Sequence, residues 1–259
     1  MGPLYCDIGN SAITYLLPSG KGKPERPERV ASHPQDEADW SAAFSASLPS
    51  LEAVVVASVN PPAAGRFERW WRETAPRVPW ALAGKDFPVP VENRTRHKQE
   101  AGMDRLLNVL AAHERVKRSA IVVDLGTATT FDLVSDDGAY LGGAIAPGLS
   151  LCFKSLHEFT ALLPRVAAQE PAEPFGKDTA SCMTIGVVEG YRGLVRHLVE
   201  RFRKELGPDA PVLLTGGEAR WAAAAVPDAR VVPELTLDGL RLAYERWVRS
   251  TLPRRKEAQ

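Results

Sequence analysis

AIVVDLGTATTFDLV, residues 120–134, holds the decisive pattern of the chain. Its first half, Ala120 to Val123, is small and β-branched and reads as a fully buried strand. Asp124 sits at the end of that strand, two residues before Gly126 and a run of small and hydroxylated residues. A buried, unpartnered carboxylate costs several kcal/mol, so Asp124 demands a charge or a donor set nearby. The same order occurs at the amino terminus: CDIGNSAITYLL (Cys6 to Leu17) and VDLGTATTFDLV (Val123 to Val134) both run apolar strand, Asp, apolar residue, Gly, small residues, second apolar strand. Asp7 and Asp124 lie 117 residues apart, and each opens a segment of β-hairpins followed by helices. The chain therefore reads as two similar β/α halves, 1–117 and 118–259.

Outward from the first hairpin, KGKPERPERVASHPQ (Lys21 to Gln35) is too rich in proline and charge for a core element, and a short helix is expected from Asp36 to Leu48. LEAVVVASV (Leu51 to Val59) reads as a strand closed by Asn60-Pro61-Pro62, and AGRFERWWRETA (Ala64 to Ala75) has helical spacing of Phe67, Trp70 and Trp71. Val78 to Val91 is expected to be extended, and Glu100 to Val116 forms an amphipathic helix through Leu106, Leu107, Val109, Leu110 and Ala111. In the second half, Asp137-Gly138 marks a hairpin, and Leu149 to Leu163 and Thr179 to Leu206 are expected helices. The strand PVLLTGG (Pro211 to Gly217), the helix EARWAAAAV (Glu218 to Val226) and a closing strand and helix complete the order.

Composition narrows the function classes. Hydrophobic residues at 44% and charged residues at 25% describe a globular chain. Lys plus Arg and Asp plus Glu both number 32, so no net field holds nucleic acid or an anionic membrane. The one concentrated basic run, PRRKEAQ (Pro253 to Gln259), reads as a solvated end. Three widely spaced cysteines, Cys6, Cys152 and Cys182, fit neither a disulfide framework nor a zinc site, and the absence of a leader or a long apolar run points to the cytoplasm. The five histidines are scattered without ligand-like spacing, and no Ser-His-Asp order is present.

The Asp-x-Gly turns carry the chemistry. In Asp7-Ile8-Gly9-Asn10-Ser11 the glycine allows close backbone approach, successive N–H groups converge on an anion, and Asn10, Ser11 and Thr14 add short donors. The Asp7 carboxylate would repel a bare phosphate, so it fits a phosphate that arrives with Mg²⁺, held through water. Paired Asp-Gly hairpins and a later glycine turn, VLLTGGEA (Val212 to Ala219), resemble the actin superfamily that includes acetate kinase, sugar kinases and hexokinase. That resemblance implies an α/β fold of two duplicated actin-like, ribonuclease H-like domains with an ATP cleft between them.

The ordered motif set resembles type III pantothenate kinases: Asp7 to Ser11, Gly102-Met103-Asp104-Arg105, Asp124 to Thr130, YLGGAIAPGLSL (Tyr140 to Leu151), TALLP (Thr160 to Pro164), GKDTA (Gly176 to Ala180) and TGGEA (Thr215 to Ala219). The resemblance implies ATP-dependent phosphorylation of pantothenate, the first step towards coenzyme A, with Asp104 as general base. It assigns the nucleotide to Asp7, Ile8, Gly9, Asn10, Ser11, Ala12, Ile13, Thr14, Thr127, Gly216 and Gly217. Gly102, Met103, Asp104, Arg105 and Thr179 fall to the substrate, with the Arg105 guanidinium suited to a carboxylate and Thr179 also readable as a helix N-cap. It further implies Mg²⁺ near Asp7, a monovalent cation, K⁺ or NH₄⁺, at Asp124, and a homodimer. Where the family carries Tyr-x-Asn/Asp-Pro before Gly-x-Asp-Arg, this chain has Thr95, Arg96, His97 and Lys98, so the basic run Arg94 to Lys98 either contacts ligand or lies exposed. A non-catalytic regulatory relative and a kinase of another small hydroxy acid are the alternatives within this resemblance.

Overall fold

The computed structural model describes residues 2–18, 27–33 and 38–251. Two five-stranded sheets organise two compact units. The first sheet contains β1 (Gly2–Ile8), β2 (Ala12–Leu16), β3 (Glu28–Ala31), β4 (Leu51–Ser58) and β5 (Trp80–Leu82), in the order β3-β2-β1-β4-β5. The second contains β6 (Ala120–Leu125), β7 (Ala128–Val134), β8 (Tyr140–Pro147), β9 (Val212–Thr215) and β10 (Arg230–Val231), in the order β8-β7-β6-β9-β10. In both, the first three strands form an antiparallel meander, while the fourth strand pairs in parallel with the first and the fifth with the fourth. The duplication extends to register: Asp7 lies opposite Thr14 and beside Ala57, and Asp124 lies opposite Thr130 and beside Thr215.

Central parallel strands are covered on both faces and therefore read as continuous apolar runs. In β4, Val54 and Val56 face a core with Trp40 and Phe44 of α1 (Ala38–Phe44) and Phe67, Trp70 and Trp71 of α2 (Pro61–Thr74). Its alternate residues Ala53, Val55 and Ala57 face Leu107 and Leu110 of α3 (Met103–Val116) and Leu237, Leu240 and Ala243 of α7 (Leu235–Thr251). In the second unit, Ile121, Val123, Leu125 and Phe131 pack against α4 (Leu149–Glu158), α5 (Thr179–Leu206) and α6 (Ala219–Ala223).

Several boundaries differ from the sequence reading. α2 begins at Pro61, capped by the Asn60 side chain, which accepts from Ala63 N at 3.1 Å. Proline lacks the N–H that a first helical turn leaves unused, so Pro61 and Pro62 open this helix as well as ending the strand. β3 lies inside the stretch too rich in proline and charge for a core element; an edge strand with one neighbour tolerates exposed Glu28 and Arg29. β5 falls within the expected extended segment, α4 ends at Glu158, and α6 stops at Ala223. The expected residues Asp36 and Glu37 of the first helix, much of the polar interval before it and the basic tail lie outside the described residues.

The compact units also cut the chain differently from 1–117 and 118–259. Of the described residues, those up to Glu92, His97–Ala111 and those from Glu234 onward form the first unit, while Asn93–Arg96 and Ala112–Pro233 form the second. α7 thus returns to the sheet of β1 to β5, and α3 passes from one unit into the other. Among the described residues, no helix is long and apolar enough to cross a membrane.

Candidate active site

In the first unit, the sequence-predicted site residues gather at the carboxyl ends of the parallel strands β1 and β4, where open α/β sheets bind ligands. Gly9 N donates to Ala12 O at 3.0 Å and closes the turn, leaving Asn10 and Ser11 exposed at its tip. Ile8 and Ile13 are fully buried in the core, so only their backbone is available to a ligand. Two residues that the sequence did not single out brace this turn. The fully buried Ser32 donates from Oγ to Gly9 O at 2.8 Å and from N to Ser11 O at 3.3 Å. Ser58 donates from Oγ to Ile8 O at 3.2 Å.

Asp7 interacts electrostatically with Cys6, whose thiol is pushed well above its ordinary range by burial first and by that carboxylate second. The Asp7 Oδ1 atom is itself buried and accepts no hydrogen bond. A carboxylate beside Asn10, Ser11 and Thr14 offers hard oxygen donors, a set that fits hydrated Mg²⁺.

Asp104 occupies the first turn of α3, and Gly102 stands just before that helix. A Cβ on Gly102 would come within 2.5 Å of Asp104 Oδ1 and 3.5 Å of Val59 Cγ1, so the carboxylate rests on a bare Cα beside the residue that follows β4. Val59 N in turn donates to Ile8 O at 3.3 Å, so Asp104 and the Asp7 turn share one end of the sheet. Burial is the main influence on Asp104 and raises its pKa, while the Arg105 N–H, which donates to Oδ1 at 2.8 Å, and the Arg105 charge draw it partly back.

α3 is fixed from behind. Asn108, fully buried one turn beyond Asp104, accepts from Thr236 Oγ1 at 2.8 Å, and Gly239 lets α7 close onto Leu107, whose carbonyl oxygen would lie 2.1 Å from an added Cβ. Met103 packs over Gly84, which has a φ of +79°.

The second unit carries the other cradle. Gly126 N donates to Ala128 O at 3.1 Å, and the turn exposes Thr127. Gly148 N donates to Thr127 O at 3.0 Å, and a Cβ there would approach Gly126 O to 2.1 Å. Gly216, with φ of +88°, lies against Asp124: an added Cβ would sit 2.6 Å from Asp124 Oδ1 and 2.4 Å from Leu125 O. Gly217 is exposed beside it. From within the core, Tyr191 of α5 shares a 2.7 Å hydrogen bond with the buried Thr129 hydroxyl; burial drives the phenol pKa upward. Among the described residues no three His, Cys, Asp or Glu side chains assemble as a metal site, so a cation at Asp124 would draw its remaining ligands from carbonyls, hydroxyls and water. That oxygen chemistry fits an alkali cation.

Of the readings around the substrate residues, the helix cap is corrected and the basic run takes the exposed alternative. Thr179 is not the cap of α5: Asp178 is, accepting from Ser181 N at 2.8 Å in a reciprocal capping box. The exposed Thr179 is the first helical residue, where its hydroxyl is not spent on the cap. In the basic run, Arg94 pairs with Asp137 at 2.5 Å, and its guanidinium, together with the Ser135 hydroxyl, lowers that carboxyl to about 2. Arg96, His97 and Lys98 are exposed.

A turn that presents a Mg²⁺-compatible carboxylate, a half-buried carboxylate able to take a proton and a second glycine cradle are the parts of a phosphoryl-transfer enzyme. A sequence model of the type III pantothenate kinase family matches residues 3–201. A type III pantothenate kinase from Thermomicrobium roseum is 38% identical over 258 residues, covering 95% of this chain and 98% of the relative. Among solved structures, a Campylobacter jejuni protein assigned to the Baf family of transcriptional activators aligns with a TM-score of 0.61 at 20% identity, covering 94% of this chain and 98% of its own. A Sinorhizobium meliloti protein assigned as a 2-dehydro-3-deoxygalactonokinase aligns with a TM-score of 0.54 at 12% identity over 99% of both chains. The two structural likenesses share the duplicated actin-like fold, and the sequence matches go further: this chain belongs to the type III pantothenate kinase family.

Proposed function

We propose that the protein transfers the γ-phosphoryl group of ATP to the primary hydroxyl of pantothenate, forming 4'-phosphopantothenate and ADP. The observation that carries this reading is the Asp104 carboxylate, shielded in the first turn of α3 and held at the same sheet end as the Asp7 turn. A base whose pKa is raised towards the working pH accepts a proton more readily than an ordinary carboxylate. The hydroxyl oxygen forms its bond to the γ-phosphorus as the bond to the bridging oxygen breaks. ADP leaves with that electron pair, and the hydroxyl proton passes to Asp104.

Arg105 binds the pantothenate carboxylate through parallel hydrogen bonds, and Gly102, Met103 and Thr179 line the acceptor. The turn from Asp7 to Thr14 receives phosphate oxygens through Asn10, Ser11 and Thr14 and through backbone N–H groups, and Thr127, Gly216 and Gly217 form the second phosphate contact. Asp7 would hold Mg²⁺ and Asp124 would hold K⁺ or NH₄⁺; when bound, these cations would offset charge that builds on the phosphoryl oxygens. We further place the protein in the cytoplasm, where its three unbridged cysteines stay reduced. A homodimer is part of the same reading; exposed Ile145, Phe159 and Leu162 offer apolar surface for it.

Incubating the protein with Mg-ATP and pantothenate, and separately with other small hydroxy acids, in K⁺ or Na⁺ buffers tests this assignment by product mass. Phosphopantothenate as the main product, with higher yield in K⁺, is expected. Preferential phosphorylation of another hydroxy acid would overturn the substrate assignment, and equal rates in K⁺ and Na⁺ would overturn the cation assignment.

A further inference from the structure

Glu218 directly follows Gly216 and Gly217, yet its side chain turns away to another element. Its Oε2 accepts from Leu149 N at 2.8 Å and its Oε1 from Ser150 N at 3.0 Å, and the Ser150 hydroxyl also donates to Oε1. These are the opening N–H groups of α4, a helix preceded by Gly148, which has no side chain to cap it. A carboxylate there satisfies orphaned donors and complements the positive end of the helix. Meanwhile Glu218 N donates to Leu125 O at 2.9 Å, next to Asp124.

The consequence lies in what these contacts join. Gly148 is locked to the Thr127 turn by its N–H and by close approach of its Cα to Gly126 O and Thr127 O. Gly216 is locked to Asp124 and Leu125 by an equally close approach. Glu218 ties the Gly216 turn to the start of α4, and thereby to Gly148 and Thr127. We infer that Glu218 is a positioning residue for ATP: it fixes the spacing between the Thr127 turn and the Gly216-Gly217 turn through the first turn of α4. Its charge is taken up by two N–H groups and a hydroxyl, so it acts through the backbone rather than on a cation.

This inference rests on the phosphate role proposed for these turns, and its test separates the two. In Glu218→Gln an amide NH₂ replaces one acceptor, so an α4 N–H loses its partner. Affinity for a non-hydrolysable Mg-ATP analogue, read by calorimetry, should fall about tenfold, and the KM for ATP should rise alongside it. The KM for pantothenate at saturating ATP should stay within about twofold, since an interaction made only with the nucleotide is lost. Ser150→Ala, which keeps both backbone donors, should weaken analogue binding in the same sense by about twofold to threefold, and Ser150→Thr, which retains the hydroxyl, should restore it.

Analogue affinity unchanged in a folded Glu218→Gln protein, or equal losses for both substrates, would overturn the inference. Should Glu218→Gln fail to fold, the serine pair decides: a selective loss in Ser150→Ala with recovery in Ser150→Thr supports the role, and no change in Ser150→Ala removes it. Wild-type protein that binds the analogue but never phosphorylates pantothenate would reject the proposed reaction while leaving the binding comparison intact.

Discussion

At the residue scale, Asp104 in the first turn of α3 is the proposed proton acceptor. Burial raises its pKa, so the folded protein favours the neutral carboxyl more than the unfolded chain does. The stability from this group is full below the unfolded pKa and lost as pH rises through the folded one; at neutral pH the ionised carboxylate costs stability. Asp104→Asn, whose side-chain oxygen can still accept from Arg105 N, should therefore melt no lower than wild type at pH 7, and the difference between the two should narrow in acid. Thermal melts across pH check this, and a neutral-pH melting point well below wild type would contradict it. The acid limb of kcat/KM should lie above the range of an ordinary carboxylate. Motifs exposed Asp104 and Asp124 in the sequence, but Ser32 gave no signal, and Glu218, though inside TGGEA, gave no sign of its contacts. They act through contacts 23 and 68 residues away, at Gly9 and Ser150, which no local spacing encodes.

Glycines show how elements place the site. Gly216 must hold φ of +88° and leave room for Asp124 and Leu125 O, so Gly216→Ala should weaken ATP binding about tenfold or more, measured as KM and analogue affinity. Wild-type affinity in that variant would remove the cradle from β9. Gly239 and Gly65 give opposite expectations on helices of the same unit. Gly239→Ala drives a methyl into Leu107 O and should cost about 1–3 kcal/mol in denaturant melts, whereas Gly65 on α2 faces open space and Gly65→Ala should gain about 0.5–1 kcal/mol. The apolar spacing revealed α3, α5 and β4 clearly because each buries a regular face. It missed β3 and gave β5 only as part of an extended stretch, since edge positions and short length leave little pattern. It also set α6 and α4 too long, since alanine and leucine favour a helix whether or not the chain continues as one.

For the whole molecule, the repeat legible in two short hairpins corresponds to two sheets with the same strand order and the same place for each aspartate. The return of α7 to the first unit was not legible, because its apolar face would suit either sheet; Gly239 against Leu107, Thr236 on Asn108 and the packing of Leu237 and Leu240 against β4 show the choice. That return bears on function, since α7 supports the helix that carries Asp104. ATP-dependent phosphorylation of pantothenate with Asp104 as base can be measured as pantothenate-dependent ADP release from Mg-ATP in K⁺ buffer, wild type beside Asp104→Asn. Steady turnover is expected for wild type, and a loss of about 10²–10⁴-fold in kcat for the folded variant. Absence of pantothenate-dependent ADP release in wild type, or undiminished turnover in Asp104→Asn, would contradict that assignment.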